Sequence, residues 1–226
     1  MKRIAICTAL ALFGLTSNAR LASAQTAENV AVVVNDSSPE SKQVGDYYVK
    51  ARNIPPENVI HIQAPTDESV QPGVYLSAIQ QPIALALSRA NLQDRILYIV
   101  LTKGIPLRIV GTGGQDGTVA SVDSELTLLY RRLTGRNVPT RGRVDNPYYL
   151  GTRALAETKP FSHREHDIYL VSRLDAFTVE EATALVDRAA RTAREGQIVL
   201  DQRETLVNQL GDHTLTRWVK SRVRHG

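Results

Sequence analysis

The sequence predicts a three-layer α/β sandwich with a mainly parallel, Rossmann-like sheet. Short apolar runs alternate with segments of helical periodicity, which is the pattern of consecutive βαβ units. The runs are short and rich in valine, isoleucine and leucine, as expected of strands that are covered on both faces. Six such runs are predicted as strands, at residues 30–34, 59–62, 96–101, 105–110, 168–171 and 198–200.

The helix after the first strand has the clearest boundaries. Its start is expected in Ser37–Glu40, where a proline and an acidic residue stand at positions that helix N-termini favour. Apolar residues then recur at Val44, Tyr47, Tyr48 and Ala51, at the spacing of one helical face. An Asn-Ile-Pro-Pro segment stops the helix before the second strand.

Further helices are predicted around residues 75–90, where Pro82 either kinks the helix or opens a second one, and from Leu126 to the stop at Gly135. Thr178 and Glu181 form a capping box for a helix that runs to about residue 194. A last helix is expected near residue 218. The stretch 136–167 is predicted as a long loop with at most one short helix, because it is irregular and rich in Arg, Pro and Asn.

The first 24 residues predict a cleavable signal peptide. Lys2 and Arg3 precede an apolar run from Ile4 to Leu15, which has the length of a signal core and is too short to cross a bilayer. Small residues in Ala22–Ala24 predict cleavage before Gln25. The expected product is an exported protein, periplasmic or extracellular, in which residues 25–226 form one α/β domain without a transmembrane segment.

Composition excludes several function classes for that domain. The chain has 27 Lys and Arg against 23 Asp and Glu, but Lys2, Arg3 and Arg20 belong to the signal, so the mature part is nearly neutral. The basic balance therefore gives no reason to expect nucleic-acid binding. Cys7, the one cysteine, also lies in the signal, which excludes disulfides, thiolate ligands and a cysteine nucleophile from the mature domain.

Charged residues at the ends of the predicted strands are the candidate catalytic groups. Ligands of open parallel sheets bind beyond the carboxyl ends of the strands. That rule selects residues just after the predicted strands, among them Asp36, Lys103, Arg173 and Asp175. Together they could bind a divalent metal, hold an anion or share a proton. Alternatively, each fills a turn or caps a helix without any functional role.

Asp123 and Glu125 are two further candidates, at the start of a helix that follows a glycine-rich loop. Acidic residues there are also favoured by the helix dipole alone. The loop lacks the third glycine of a dinucleotide fingerprint, because Asp116 stands at that position. It is better interpreted as a turn or lid.

Other motifs are incomplete. His163 and His166 have a spacing that some metal sites use, but no third ligand accompanies them. No Gly-x-Ser-x-Gly elbow of a serine hydrolase is present. No cofactor is identified from the sequence, and a divalent metal at the strand-end carboxylates remains compatible with it.

Several segments together resemble an uncharacterised family of exported bacterial proteins found mainly alongside exosortase (PEP-CTERM) sorting systems. They are Val32–Asn35 with the following Ser-Pro-Glu-Ser, Asn53–Val59, Leu101–Leu107, Ser121–Leu126, Asn146–Tyr149 and Leu170–Asp175. The resemblance implies an envelope or secreted location and a link to exosortase-dependent export or exopolysaccharide. It transfers no active site. Members of this family run on beyond residue 226, so this chain is expected to be a C-terminally truncated member.

Two classes of function follow as expectations. The first is a hydrolase-like enzyme that uses the strand-end carboxylates, which requires Asp36, Lys103 and Asp175 to meet in a concave site. The second is a non-catalytic envelope protein, linked to sorting, whose cleft binds a peptide, a glycan or another envelope component. The second predicts an exposed groove with Tyr148 and Tyr149 at its rim.

Overall fold

The computed structural model describes residues 25–139, 141–149 and 159–190. The predicted signal peptide, the strand at 198–200 and the last helix lie outside these ranges. The chain divides into two compact units, Met1–Val186 and Asp187–Gly226. The sheets and the sites described below belong to the first unit.

The elements follow one another in the alternating order that the sequence predicts. In chain order they are β1 (Val30–Asn35), α1 (Pro39–Arg52), β2 (Val59–Ile62), β3 (Ser69–Val70), α2 (Pro72–Val74), a π-helical segment (Tyr75–Gln80), α3 (Gln81–Arg89), β4 (Tyr98–Thr102), β5 (Arg108–Ile109), β6 (Ala120–Ser121), α4 (Val122–Thr127), α5 (Leu129–Leu133), β7 (Leu170–Leu174) and α6 (Val179–Ala189).

The main sheet has four parallel strands in the order β2-β1-β4-β7 and is flanked by helices, which confirms the predicted α/β fold. The chain moves from β1 to one side to form β2, then crosses β1 to form β4 on the other side. This reversal makes the β1–β4 boundary the topological switch point of the sheet, where α/β proteins place their ligands. A second, small sheet joins β3, β5 and β6.

Helix α1 begins and ends as predicted, but its buried face differs from the prediction. Val44 is buried as expected, whereas Tyr47 and Ala51 are exposed and the buried face includes Ser41 and Gly45 instead. The reason is close packing on β1. A Cβ at Gly45 would lie 2.6 Å from Val34 Cγ2, so the smallest residue of the helix faces the sheet. A count of apolar residues cannot predict this, because glycine and serine score as neutral.

The opposite face of the sheet packs against the second helical segment. Ile79, Ile83 and Leu87 are fully buried against strand residues that include Val33 and Leu101. Pro82 stands in the first turn of α3 (Gln81–Arg89), which agrees with the alternative that it opens a second helix. A π-helical turn precedes it, and the wider turn accommodates a residue that lacks the N–H an α-helix would use.

The described part of the predicted long loop, residues 136–139, 141–149 and 159–167, contains no helix or strand. It packs through a small apolar cluster that includes Val138, Phe161 and Ile168, with Leu128 of α4–α5. Within the described ranges, no helix combines the length and the apolar character needed to span a bilayer.

Candidate functional site

The centre of the switch point is closed by a buried hydrogen-bond network. Asn35, at the end of β1, is fully buried, and its Nδ2 donates to the carbonyls of Ala64 (3.0 Å) and Gly104 (2.9 Å). Its Oδ1 accepts from the backbone N–H groups of Ala64 (3.0 Å) and Ser37 (3.2 Å). This one amide therefore ties together the chain segments that follow β1, β2 and β4.

Gly104 allows the β1 and β4 ends to approach each other. Its φ of +84° is a conformation that suits glycine, and a Cβ at this position would overlap Ser38 Oγ. Beneath it, Ser41 Oγ contacts Thr102 Oγ1 at 2.5 Å, and Thr102 Oγ1 donates to the Val33 carbonyl at 2.9 Å. The switch point is thus filled by polar protein groups that form hydrogen bonds with one another.

Lys103 and Asp175 are brought together, as the strand-end argument requires. Lys103 Nζ lies 3.4 Å from Asp175 Oδ1 and donates to the Ala176 carbonyl at 2.8 Å. Asp175 Oδ1 also accepts from the Ala176 N–H at 2.9 Å. Both side chains therefore fasten the turn after β7, and Lys103 is only 16% exposed.

Arg173, in β7, and Asp123, at the start of α4, form a second pair. The Arg173 guanidinium donates to both Asp123 carboxylate oxygens (3.1 and 3.4 Å) and to the carbonyls of Ile105 (2.6 Å) and Pro106 (2.9 Å). Four acceptors surround a side chain that is 11% exposed. The arginine holds the chain after β4 against the start of α4.

Asp36 lies apart from these pairs and contacts a residue that the sequence had not selected. Its Oδ1 is 2.8 Å from Nδ1 of His61, in the edge strand β2, and the two side chains are 37% and 55% exposed. A carboxylate bound to Nδ1 fixes the orientation of the imidazole and leaves Nε2 to solvent. His61 thus lies in an edge strand with more than half of its side chain exposed.

Glu125 contacts neither Asp36 nor the Lys103 and Arg173 pairs. It pairs instead with Arg132 of α5, with 3.0 Å between Oε2 and Nη2. Of the six candidates, four therefore form two structural pairs next to β7, while Asp36 and Glu125 lie elsewhere.

Glu125 lines a cleft of about 390 Å³ between α4 and the segment 142–147. This volume is within the range of small-molecule sites. The lining mixes apolar groups with hydroxyl, amide and carboxylate groups; its described residues are Val119, Ala120, Ser124, Glu125, Thr127, Leu128, Gly142, Val144, Asp145, Asn146, Pro147 and Ile168.

Two tyrosines directly follow this lining in the chain. Asn146 closes a turn through its Oδ1, which accepts from Tyr148 N–H at 2.9 Å, and its carbonyl, which accepts from Tyr149 N–H at 3.0 Å. The turn leaves Tyr149 67% exposed and Tyr148 36% exposed. Both tyrosines are thus exposed, and neither is among the described residues that line the cleft.

The glycine-rich loop builds the neighbouring wall. The backbone N–H groups of Thr118 and Val119 donate to the Thr112 carbonyl at 2.8 and 3.1 Å. A Cβ at Gly117 would overlap that carbonyl, so the loop closes on itself at its glycines. Gly142 N–H then donates to the Gly117 carbonyl at 2.9 Å, which fixes segment 142–147 to the loop.

His163 and His166 belong to an aromatic cluster. The His163 ring stacks on Tyr130 with centroids 3.8 Å apart, and the His166 ring is parallel to Phe161 at 5.6 Å. Burial lowers the pKa of His163, an effect only partly offset by carbonyl groups and the charge of Asp94. Across the described residues, no three His, Cys, Asp or Glu side chains are grouped as a metal site.

Two features of the candidate sites were not predicted from the sequence. The cleft depends on contacts between segments that are far apart in the chain, and no spacing rule detects it. The second is the contact between His61 and Asp36; parallel pairing of adjacent strands, with Asn35 opposite Ile62, was the signal that could have joined them.

No protein-family model matches this chain, and neither a curated protein nor a solved structure shows significant similarity to it.

Proposed function

We propose that this chain is an exported protein that binds a peptide or a glycan in the cleft between α4 and segment 142–147. The observation that carries the proposal is the exposure of Tyr148 and Tyr149 beside the polar cleft lining. Exposed tyrosines supply rigid apolar area with a hydrogen-bonding tip, which is why they are common in binding surfaces.

The chemistry of the lining supports a ligand with both polar and apolar parts. Ser124, Asp145 and Asn146 offer donors and acceptors, while Val144 and Pro147 offer apolar contact. Peptides and sugars present both kinds of group. Asp145 is exposed, and its carboxylate is available to a ligand hydroxyl or amide.

The charged residues at the strand ends support catalysis less well than the cleft supports binding. Lys103, Asp175, Arg173 and Asp123 spend their hydrogen bonds on one another and on backbone carbonyls. Asp36 does not join them. A hydrolase-like enzyme remains a second candidate because of one specific contact, the exposed Asp36–His61 pair, in which His61 Nε2 could accept a proton.

Export, and a link to exosortase-dependent sorting, are part of the proposal. They rest on the signal-like N-terminal segment and on the family resemblance described above.

Chemical-shift mapping with defined probes tests the binding function. Cellohexaose, the hexamer of N-acetylglucosamine, tetra-alanine and hexa-lysine would be titrated against isotope-labelled protein. We expect at least one probe to shift the amides of Ser124 and residues 142–149. Tyr149→Ala should weaken that binding about tenfold, and Tyr149→Phe should leave it nearly unchanged.

The outcome that would reject the binding function is the absence of shifts at the cleft with all four probes. Hydrolysis of p-nitrophenyl acetate or phosphate that is lost in both Asp36→Asn and His61→Gln would instead support the enzyme. Neither substitution touches the cleft, so the two candidates are tested independently.

A further inference from the structure

We propose that protonation of His163 releases segment 141–149, so that the cleft is held in shape near neutral pH and loosened in acid. The regulatory meaning of this switch rests on the proposed function, whereas the switch itself is a property of the packing. The inference depends on the hydrogen bonding of His163, on its contacts and on the construction of the cleft wall.

The hydrogen bonds of His163 specify a neutral ring. Nε2 lies 2.6 Å from the Ile96 carbonyl, so this nitrogen carries the proton and donates. Nδ1 is buried and has no hydrogen-bond partner. A second proton would place a positive charge at a nitrogen that is shielded from water and forms no hydrogen bond in the neutral ring, which is costly.

The ring is also enclosed by aromatic side chains. Tyr130 stacks on one face at 3.8 Å, and Tyr169 and Phe161 meet the ring edge-on, with centroids at 5.2 and 6.0 Å. Tyr130 and Tyr169 are themselves held by hydrogen bonds to Asp94 (2.7 Å) and to the Gln93 carbonyl (2.9 Å). These partners cannot rotate away to admit water without losing their own bonds.

Phe161 connects this histidine to the cleft. It packs edge-on to Tyr148 at 5.2 Å and belongs to the same apolar cluster as Leu128 and Ile168, with Val144 against it. Leu128, Val144 and Ile168 all line the cleft. A displacement of Phe161 therefore changes both the cleft wall and the support beneath Tyr148.

The charges around His163 do not favour its protonated form enough to cancel burial. Asp94 and the carbonyls of Ile96, His166 and Ile168 favour the imidazolium, yet desolvation is the larger effect. Most other ionic groups of α5 and segment 159–167 are paired, whereas Arg164, and Arg141, Arg143 and Asp145 of segment 141–149, form no ion pair with another described residue. On α5 and the segment after it, Arg131 and Arg136 bind Asp167, and Arg132 binds Glu125; on segment 159–167, Lys159 binds Glu165, and His166 stacks on Phe161.

Release is expected to be local because of how these segments are held. Residues 141–149 and 159–167 contain no helix or strand, and a few side-chain and turn hydrogen bonds fix them. The main sheet is secured instead by its ladder and by cores on both faces. Regions with few backbone bonds open at lower free energy than a core sheet.

Hydrogen exchange of the full chain at several pH values tests the proposal. Peptides covering 141–149 would be compared at pH 7.5 and pH 5, after correction for intrinsic exchange. We expect protection to fall in acid, because burial lowers the pKa of His163 in the closed state and protonation therefore favours the open one. The Gly142 and Tyr149 amides, which donate to Gly117 and Asn146, are the reporters.

His163→Gln should remove this pH dependence, because glutamine can still donate to the Ile96 carbonyl and does not titrate. His61→Gln is the matched control; it removes an exposed histidine and should leave the pH dependence intact. In the unsubstituted protein, NMR titration should find His163 protonating below the normal histidine range, a readout that does not depend on the variant folding.

Three results would overturn the proposal: protection of 141–149 that does not change with pH, pH dependence that persists in His163→Gln, or a parallel loss of protection in β1 and β4, which would indicate global acid unfolding. Failure of the binding function has a different signature. The pH-dependent exchange would then persist while no probe binds at the cleft.

Discussion

The Arg173 guanidinium lies 3.1 Å from the Asp123 carboxylate and donates at the same time to two backbone carbonyls from the chain after β4. Arg173 and Asp123 are charged residues of the kind found in active sites, but here they hold three segments of the chain together. The distinction is measurable because fastening residues change stability when they are removed.

Arg173→Met is expected to lower the free energy of unfolding by about 3 kcal/mol, because it leaves one carboxylate and two carbonyls without their donor in a largely buried place. Urea denaturation measures it. Arg108→Met is the control: Arg108 forms an ion pair with Glu68 in which both side chains are more than half exposed, so its loss should cost less than about 0.5 kcal/mol. Equal costs for the two variants would contradict this role of Arg173.

Gly104→Ala should destabilise the protein by about 2 kcal/mol or more. The substitution imposes strain at a φ of +84° and overlaps Oγ of Ser38, the N-cap residue of α1. Gly113→Ala provides the comparison, since a Cβ there meets nothing within 4 Å. Thermal unfolding of both variants tests the prediction, and a Gly104→Ala midpoint equal to that of Gly113→Ala would refute the close approach of the β1 and β4 ends.

Asn35→Asp should destabilise the protein more than the small change in the side chain suggests. The amide donates from Nδ2 to two carbonyls, and a carboxylate would direct negative charge at both of them in a fully buried place. We expect a loss of about 3 kcal/mol at neutral pH, measured by urea denaturation. Asn146→Asp, in an exposed turn where the side chain accepts through oxygen, should cost little. A mild Asn35→Asp would mean that the loops do not depend on this amide.

Asp167 should contribute stability that acid removes. Burial by itself raises the pKa of its carboxyl, but the hydrogen bonds and charges of Arg136 and Arg131 outweigh burial, and the net shift is downward. A depressed folded-state pKa stabilises the protein above the unfolded-state pKa of about 3.9, and this contribution is lost as the pH falls through the folded-state value. Asp167→Asn should therefore be less stable than the unsubstituted protein at pH 6, with the difference shrinking toward pH 2.5. A difference that is constant with pH in urea titrations would exclude this linkage.

The sheet was predictable because its signals are local. The run 30–34 and the capping residues of α1 determine β1 and the start of α1 from adjacent positions, and both were predicted within a residue. The helix face was not, because Gly45 packs through its lack of a side chain. Pro82 was expected to kink or start a helix, and the wider turn before it was not foreseen.

The site was predictable only where partners lie on neighbouring strands. Lys103 and Asp175 follow β4 and β7, which pair in parallel, so the strand-end rule was enough to bring them together. The cleft required Gly142 to meet Gly117, a contact between two irregular segments. No periodicity encodes that contact, and the tyrosines were associated with a groove only by their type.

The π-helical turn at Tyr75–Gln80 also bears on how sequences related to this one should align. Such a turn corresponds to one residue more than an α-helix needs over the same rise. Deletion of the extra residue would let the α-helix continue without a π-helical turn. The residues before the deletion would then be rotated by about 100° around the helix axis, and Tyr75 would no longer lie on the same face as Ile79 and Ile83. A related sequence that keeps a proline at the position of Pro82 should retain the extra residue. One that has lost this proline should show a single-residue gap within the five positions before it.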